Sequence, residues 1–142
     1  MLKKNIAGLL LILTLGIASA LAQNYSDLEN DPAERAAILA ALSVPVSKEL
    51  KQKITFSEPV FRVKNNWAFV NATAQNAKGG DVNWKITAYR AMVENGDFEQ
   101  GIPALLKKTG GKWRVVKYLM NCHDVCYLDW SRKYKAPKEI IE

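Results

Sequence analysis

Residues 61–70 read Phe61-Arg62-Val63-Lys64-Asn65-Asn66-Trp67-Ala68-Phe69-Val70. Apolar and basic side chains alternate up to Lys64, which is typical of a β-strand with one buried face, because successive side chains point to opposite faces. Asparagine tolerates a positive φ, so Asn65-Asn66 suits the two-residue turn of a hairpin. The return strand begins at Trp67 and runs toward Ala74. The stretch therefore predicts an antiparallel β-hairpin.

Further strands are predicted on both sides of this hairpin. Before it, Ile54 and Phe56 alternate with polar neighbours, and Pro59 indicates a bulge or an edge position because proline cannot donate to the sheet ladder. After it, glycine-containing turns separate more segments with strand patterns, which are 82–88, 102–107 and 113–119. The chain is therefore expected to form a curved antiparallel meander sheet of about four to five strands.

Helices are predicted at both ends of the sheet. Asp31 can cap the first free amides of a helix, and Pro32 fits its first position. Val44-Pro45 is expected to end or kink this helix, since the residue before proline is pushed out of the helical region. A short C-terminal helix is predicted over 124–134, with Asp124 at its start. The predicted fold class is α+β, with the N-terminal helix packed on the meander sheet.

The N-terminal region has the pattern of a secretory signal peptide. Lys3 and Lys4 precede the apolar run 6–18, and small residues lead to a cleavage position after Ala22. A transmembrane anchor is the alternative, but a span needs about 20 apolar residues and this run is shorter. We therefore expect a periplasmic or secreted protein with no membrane span once the signal is removed. The predicted organisation is a signal peptide over 1–22, a flexible N-terminal segment over 23–30 and a single α+β domain over 31–142.

The charge pattern argues against nucleic acid as a partner. The formal net charge is +6, but the basic residues are scattered and often alternate with apolar ones, as on the solvated side of a sheet. An exported protein meets little nucleic acid, and no nucleic-acid-binding motif occurs in the sequence. We therefore expect no nucleic-acid partner.

The densest group of reactive side chains lies in Asn121-Cys122-His123-Asp124-Val125-Cys126. An even cysteine count in an exported chain indicates a disulfide between Cys122 and Cys126, with free thiols or a metal or redox role as the alternatives. A catalytic Cys–His pair must converge in space, and neighbours in sequence seldom do. A zinc site needs a fourth ligand that the sequence does not offer. No metal and no cofactor are therefore predicted.

Candidates for acid/base catalysis are few. Such chemistry needs carboxylates or tyrosines that face a cavity, and Asp124, Asp129 and Tyr89 are the candidates, of which Asp124 and Tyr89 are carried forward as catalytic candidates. The sequence contains no serine nucleophile elbow, no phosphate-binding glycine loop and no H-E-x-x-H zinc motif. These patterns favour a protein that is not an enzyme.

An aromatic segment near the C-terminus is a candidate binding surface. Trp130 is the tryptophan expected to be most exposed, because the other tryptophans lie in strand patterns that are typical of a core. Tyr127 and Tyr134 flank it. Together the three residues predict a small aromatic patch for a partner.

Five segments carry a resemblance to known proteins: Trp67-Ala68-Phe69-Val70, Ala104-Leu105-Leu106-Lys107-Lys108, Lys112-Trp113-Arg114-Val115-Val116, Asp124-Val125-Cys126-Tyr127-Leu128-Asp129-Trp130 and Lys133-Tyr134-Lys135-Ala136-Pro137. They look like a group of small secreted bacterial proteins without an assigned function, and the layout is similar to the cystatin-like and nuclear-transport-factor-2-like α+β folds. The larger fold includes steroid isomerases and dehydratases as well as ligand-binding modules, so the resemblance implies a fold rather than an activity. None of the catalytic motifs of those enzymes can be placed in this chain residue by residue.

Two functions fit these patterns. The first is an exported non-enzymatic binding or accessory module of the bacterial periplasm or cell envelope, whose partner is an envelope protein or a small hydrophobic ligand. The second is a small cone-shaped acid/base enzyme, similar to an isomerase or dehydratase, that acts on a hydrophobic small molecule with Asp124 or Tyr89 as the proton carrier. The lack of catalytic motifs favours the first.

Overall fold

The computed structural model of the protein describes residues 24–142. The predicted signal peptide and its cleavage position lie outside the described residues. One long helix packs on a four-stranded antiparallel sheet, and short helices follow at the C-terminus, so the fold is α+β as predicted. In chain order the elements are α1 (Pro32–Leu50), β1 (Ile54–Lys64), β2 (Trp67–Asn76), a 3₁₀ turn (Trp84–Ile86), α2 (Arg90–Glu94), β3 (Gly101–Thr109), β4 (Lys112–Tyr118), α3 (Trp130–Tyr134) and α4 (Lys138–Ile141).

The sheet is a meander in which each strand pairs with the next, in the order β1-β2-β3-β4. The hairpin predicted from residues 61–70 is confirmed, since Lys64 pairs with Trp67 and the two asparagines between them form the turn. Asn65 and Asn66 have φ angles of 51° and 64°, the left-handed conformation that asparagine tolerates. The bulge predicted at Pro59 is also present, because the register between β1 and β2 shifts there.

The start of α1 follows the prediction. The Asp31 side chain accepts a hydrogen bond from the Glu34 amide at 3.0 Å, and Pro32 occupies the first turn. The Glu34 carboxylate pairs with the Lys108 ammonium of β3 at 2.6 Å. The first turn of the helix is thus capped and also tied to the sheet.

The prediction that α1 ends at Val44-Pro45 is wrong, because the helix continues to Leu50. A proline inside a helix costs about 3 kcal/mol or more. The side chains of Val46 and Leu50 are 0 % exposed, and burying such a side chain contributes about 1.5–3 kcal/mol. Packing on the sheet therefore offsets the local penalty. The helix ends at Lys51, whose φ of 56° is left-handed.

The strand predicted over 82–88 is wrong, since these residues form the 3₁₀ turn and the approach to α2. β2 already pairs with β1 on one side and with β3 on the other, so it offers no free edge to this segment. The Asn76 side chain holds the preceding loop in a turn, because it accepts a hydrogen bond from the Lys78 amide at 2.8 Å and donates one to the Asp81 carbonyl at 2.9 Å. The apolar pattern of the segment is used for packing instead, and Val82 is buried in the core beneath α1.

Both faces of the sheet are covered. Helix α1 packs on one face, over a core that includes Val70 and Leu106. Helices α3 and α4 pack on the other face, over Phe69 and Leu105. Neighbouring residues of β2 and β3 are therefore buried in continuous runs, the pattern of strands that are covered on both sides. The C-terminal helices thus complete a second core.

The C-terminal helix begins later than predicted. Asp124 does not open it, because this residue has a φ of 55° and a right-handed helix needs a negative φ. The chain first passes through a turn, and α3 begins at Trp130. Lys135 ends α3 in the left-handed conformation, and α4 follows after Pro137.

The segment before α1 contacts the sheet. Ser26 and Val63 of β1 exchange backbone hydrogen bonds of 2.8 and 2.7 Å, and Leu28 is only 8 % exposed. These contacts lie within residues 23–30, the segment expected to be flexible. The bridge at Ser26 covers part of the outer edge of β1.

Candidate functional site

Three side chains from distant parts of the chain meet around one carboxylate, and we call them the Glu49 site. Glu49 lies in the last turn of α1, Tyr89 directly before α2, and Tyr118 at the end of β4. The Tyr89 hydroxyl donates a hydrogen bond to Oε1 of Glu49, and the Tyr118 hydroxyl donates one to Oε2. Each carboxylate oxygen therefore has one phenol donor.

The chain between the 3₁₀ turn and α2 positions Tyr89. The Phe98 ring lies 5.2 Å from the Tyr89 ring and 4.7 Å from the Trp84 ring, measured between centroids. The Thr87 hydroxyl accepts a hydrogen bond from the Tyr89 amide at 3.2 Å and donates one to the Trp84 carbonyl at 2.8 Å. These contacts hold the Tyr89 ring in the direction of α1.

The Glu49 site lies in an open groove of about 510 Å³. One wall is formed by Pro45 and Glu49 of α1, a second by Tyr89, and a third by residues 115–120 at the end of β4. Apart from the three residues of the site and Lys117, the lining is apolar. A concave surface with a few convergent polar groups among apolar ones is the usual form of a ligand site.

Both phenols of the site keep their protons at neutral pH. Burial, followed by the hydrogen bond to the Glu49 carboxylate, raises the pKa of Tyr89 from 10.0 to about 12. The same two causes raise the pKa of Tyr118 well above its ordinary value. An ionised phenol would lie against a carboxylate of the same charge, which disfavours ionisation. The two tyrosines therefore act as hydrogen-bond donors.

The Glu49 carboxylate has no cationic partner among residues 24–142. The salt bridges of this part of the chain involve other acids, which are Glu34, Glu94 and Glu139. Glu49 is partly buried, and a carboxylate that is drawn out of water without a counter-charge loses hydration free energy. A ligand that brings a cation or further hydrogen-bond donors would restore that loss.

The two catalytic candidates do not come together. Tyr89 lines the groove, whereas Asp124 lines a separate depression of about 270 Å³ beside Asn71 and Tyr127. The Asp124 side chain is exposed to solvent. The two residues therefore cannot serve one reaction as a pair.

The structure pairs Cys122 and Cys126 as a disulfide, with Cα atoms 5.8 Å apart. Residues 24–142 contain no free cysteine. The bridge lies beside the depression at Asp124 and away from the groove. A disulfide is compatible with an exported protein, because disulfides persist in oxidising compartments.

The expectation that Trp130 is exposed is wrong, since only 3 % of the residue is accessible. Its ring packs between Phe69 of β2, at a centroid distance of 6.5 Å, and Tyr134, at 6.4 Å. The Tyr127 ring lies 4.8 Å from the Phe69 ring. Tyr127 and Tyr134 are partly exposed at the border of the second core, and their role in binding a partner stays a prediction.

Glu49 and Tyr118 are site residues that the sequence patterns did not single out. A signal for Glu49 exists, because the buried residues of α1 recur at every fourth position and this spacing continues across Pro45. A helix drawn through the proline would have placed Glu49 over the sheet. Tyr118 carries no such signal, since strand alternation alone does not say which element covers a face.

No protein-family model, curated protein or solved structure matches this chain. Within residues 24–142, every helix is too short or too polar to cross a membrane. The same part of the chain contains no group of three or more His, Cys, Asp or Glu side chains placed to hold a metal ion. The geometry of the Glu49 site is therefore the basis for assigning a function.

The stability of the protein is expected to fall between pH 10 and about pH 12. The folded-state pKa of Tyr89 is raised from 10.0 to about 12, so the unfolded chain loses the phenol proton first as the pH rises. The stabilisation is fully present below pH 10 and is lost as the pH approaches about 12. Urea unfolding at a series of pH values measures this slope.

In the Glu49→Gln variant the slope should be shallower, because the neutral amide no longer opposes ionisation of the phenols. Glu58→Gln is the matched control, since Glu58 is exposed in the β1 bulge, and it should keep the wild-type slope. A Glu49→Gln variant with the wild-type slope would contradict the role of the carboxylate.

Proposed function

We propose that the protein is an exported, non-enzymatic binding module of the periplasm or cell envelope, and that its ligand docks in the groove at Glu49. The observation that carries the proposal is a partly buried carboxylate that two phenols orient but no basic residue among 24–142 neutralises. Natural cores avoid such a charge unless something compensates for it. A bound ligand is that compensation.

The geometry favours a ligand with a positive charge or several hydrogen-bond donors beside an apolar part. An ionised carboxylate has about four acceptor positions on its two oxygens. The hydroxyls of Tyr89 and Tyr118 each donate to a different oxygen of the Glu49 carboxylate. Each oxygen can therefore accept a further hydrogen bond from a ligand. The apolar lining of the groove at Pro45 and Val115 suits the rest of such a ligand.

The acid/base enzyme is less well supported. A general acid or base works best when its pKa lies near the working pH, and the pKa of Tyr89 is raised to about 12. Asp124 is exposed in a different depression, which it shares with Glu99 and Tyr127 and with no residue of the groove. The rigid, protonated phenols serve recognition better than proton transfer.

Export is proposed from two independent features. The pattern of residues 1–22 is that of a signal peptide, and the Cys122–Cys126 disulfide suits an oxidising compartment. The resemblance to small secreted bacterial proteins, and to folds that include ligand-binding modules, supports the same proposal. It adds no residue-level role.

Benzylammonium is expected to bind in the groove, because it joins a cation to an apolar ring. Its titration, followed by the amide chemical shifts of residues 115–120, should show a weaker complex for Glu49→Gln by about tenfold or more, since a hydrogen bond to a charged group contributes about 1.5–3 kcal/mol. Benzyl alcohol has the same ring without the charge, and it should bind the wild type and the variant equally weakly.

The control variant is again Glu58→Gln, which removes an exposed carboxylate outside the groove and should leave benzylammonium binding unchanged. Equal affinity of wild type and Glu49→Gln for benzylammonium, or shifts confined to residues outside the groove, would refute the assignment of the site.

Expression of the full chain in a bacterium is expected to give a periplasmic or secreted product that begins at Gln23 and carries no free thiol. Cell fractionation, mass spectrometry and alkylation of the unfolded protein check the three points. A cytosolic product that retains Met1 and has both cysteines open to alkylation would argue against export.

A further inference from the structure

β4 is an outer strand of the sheet, and the groove follows its C-terminal half. It pairs with β3 on one side, and no strand of residues 24–142 pairs with its other side. Residues 115–120 form one wall of the groove. The outer edge of a strand carries unpaired N–H and C=O groups that can pair with another chain.

The register shows that Tyr118 presents its backbone to this edge. The Leu119 amide donates to the Pro103 carbonyl of β3 at 3.1 Å, and Tyr118 lies opposite Ala104. Along an antiparallel pair, hydrogen-bonded and non-hydrogen-bonded positions alternate. Tyr118 therefore occupies a non-hydrogen-bonded position, and its N–H and C=O point away from β3.

The backbone N–H of Val115 also points away from β3. The Lys108 amide donates to the Asn66 carbonyl of the β1–β2 turn at 2.8 Å, so Lys108 and, by alternation, Leu106 direct their backbone groups toward β2. Val115 lies opposite Leu106 and receives no bond from it. The edge thus offers free backbone groups at Val115 and at Tyr118. The register with β3 shifts between these two residues and leaves Val116 as an extra residue in β4, so a regular partner strand pairs with the Tyr118 end only.

The side chains of β4 form two rows of different chemistry. Tyr118 and Val115 pack against the core beneath α1, on the face that holds the Glu49 carboxylate. Lys117 lies opposite Leu105, which belongs to the second core, so it faces the other way. Arg114 alternates with Val115 and shares that second face. The Glu49 carboxylate of α1 therefore lies on one face of the β4 edge, and the basic side chains of Lys117 and Arg114 lie on the other.

We infer that the groove takes an extended peptide segment of another protein, which pairs antiparallel with β4 at Tyr118 and directs a Lys or Arg side chain, followed by an acidic residue, to this edge. This inference rests on the proposed function of the groove. Directly paired residues of neighbouring strands share a face. A basic residue opposite Tyr118 therefore meets the Glu49 carboxylate. The acidic residue directly after it lies opposite Lys117.

Other occupants of this edge fit less well. Two copies of β4 paired with each other would place the Lys117 and Arg114 rows side by side, and like charges across a strand pair are destabilising. The opposite edge of the sheet is less available to a peptide, because Ser26 already pairs with Val63 of β1. Chain addition is therefore expected at β4.

The test uses the peptide acetyl-Thr-Glu-Lys-Glu-Thr-amide and the protein obtained by expressing the full chain. The matched control is acetyl-Thr-Glu-Glu-Lys-Thr-amide, which has the same composition and charge but no acidic residue after the lysine. The first peptide should bind about two- to fivefold more tightly than the control by calorimetry or amide chemical shifts, because a cross-strand charge pair contributes up to about 1 kcal/mol. Methylation of the lysine backbone nitrogen should cause a loss of similar size, because it removes a hydrogen bond to Tyr118.

The protein variant Lys117→Gln tests the second contact of the peptide, because it removes the charge that lies opposite the acidic residue. The variant keeps the Glu49 carboxylate and both phenols, so it should unfold like the wild type. Its affinity for the first peptide should fall to that of the control peptide. If the variant does not fold, the methylated peptide gives the same information on the wild-type protein.

Each outcome separates the two proposals. Equal binding of both peptides, or no effect of methylation, overturns strand addition even where benzylammonium binding depends on Glu49. Failure of benzylammonium and of both peptides overturns the groove as a binding site. Concentration-dependent dimers that bury the amides of Tyr118 and its neighbours in the absence of any peptide would identify a second copy of the chain as the occupant, which also overturns the peptide.

Discussion

The structure depends on the burial of β2 and β3 from both sides. Val70 and Leu106 face the core beneath α1, and Phe69 and Leu105 face the core beneath the C-terminal helices. Strands with two apolar faces are not stable until both faces are covered, so α1 and the C-terminal helices are needed together. The central strands are then fully enclosed, and the outer strands remain to meet other molecules.

That arrangement also explains where the Glu49 site lies. The buried spacing of α1 continues through Pro45 because Val46 and Leu50 must reach the sheet, and this extension brings Glu49 over β4. Tyr118 comes from the open edge of the sheet, on the same face. The carboxylate is therefore held by the packing of the fold, and it is oriented rather than mobile, as a binding site requires.

The local parts of the fold are readable from sequence. The alternation around Asn65-Asn66 and the capping by Asp31 act through neighbours in the chain, and both predictions are confirmed. The prediction of a strand over 82–88 is wrong, because alternation of apolar and polar residues does not reveal whether a neighbouring strand has a free edge. The predicted end of α1 at Pro45 is wrong, because the free-energy cost of a proline in a helix is local, whereas the burial that offsets this cost comes from contacts with distant residues.

The site is harder to predict for the same physical reason. Tyr89 was a candidate from the sequence, but its partners Glu49 and Tyr118 come from a helix end and an edge strand that only the tertiary fold brings together. The sequence predicts Trp130 on the surface because it is the tryptophan that lies outside a strand pattern, yet its ring packs in the core on the second face of the sheet. Patterns within a segment do not reveal what packs against it.

Native-state amide hydrogen exchange tests the central claim that both faces of the sheet are closed while the β4 edge is open. The amides of β2 and β3 are expected to exchange only through global unfolding, whereas the outward amides of Val115 and Tyr118 should exchange far faster. Protection of these two amides as strong as that of β3 would contradict it, because the edge would then already be covered.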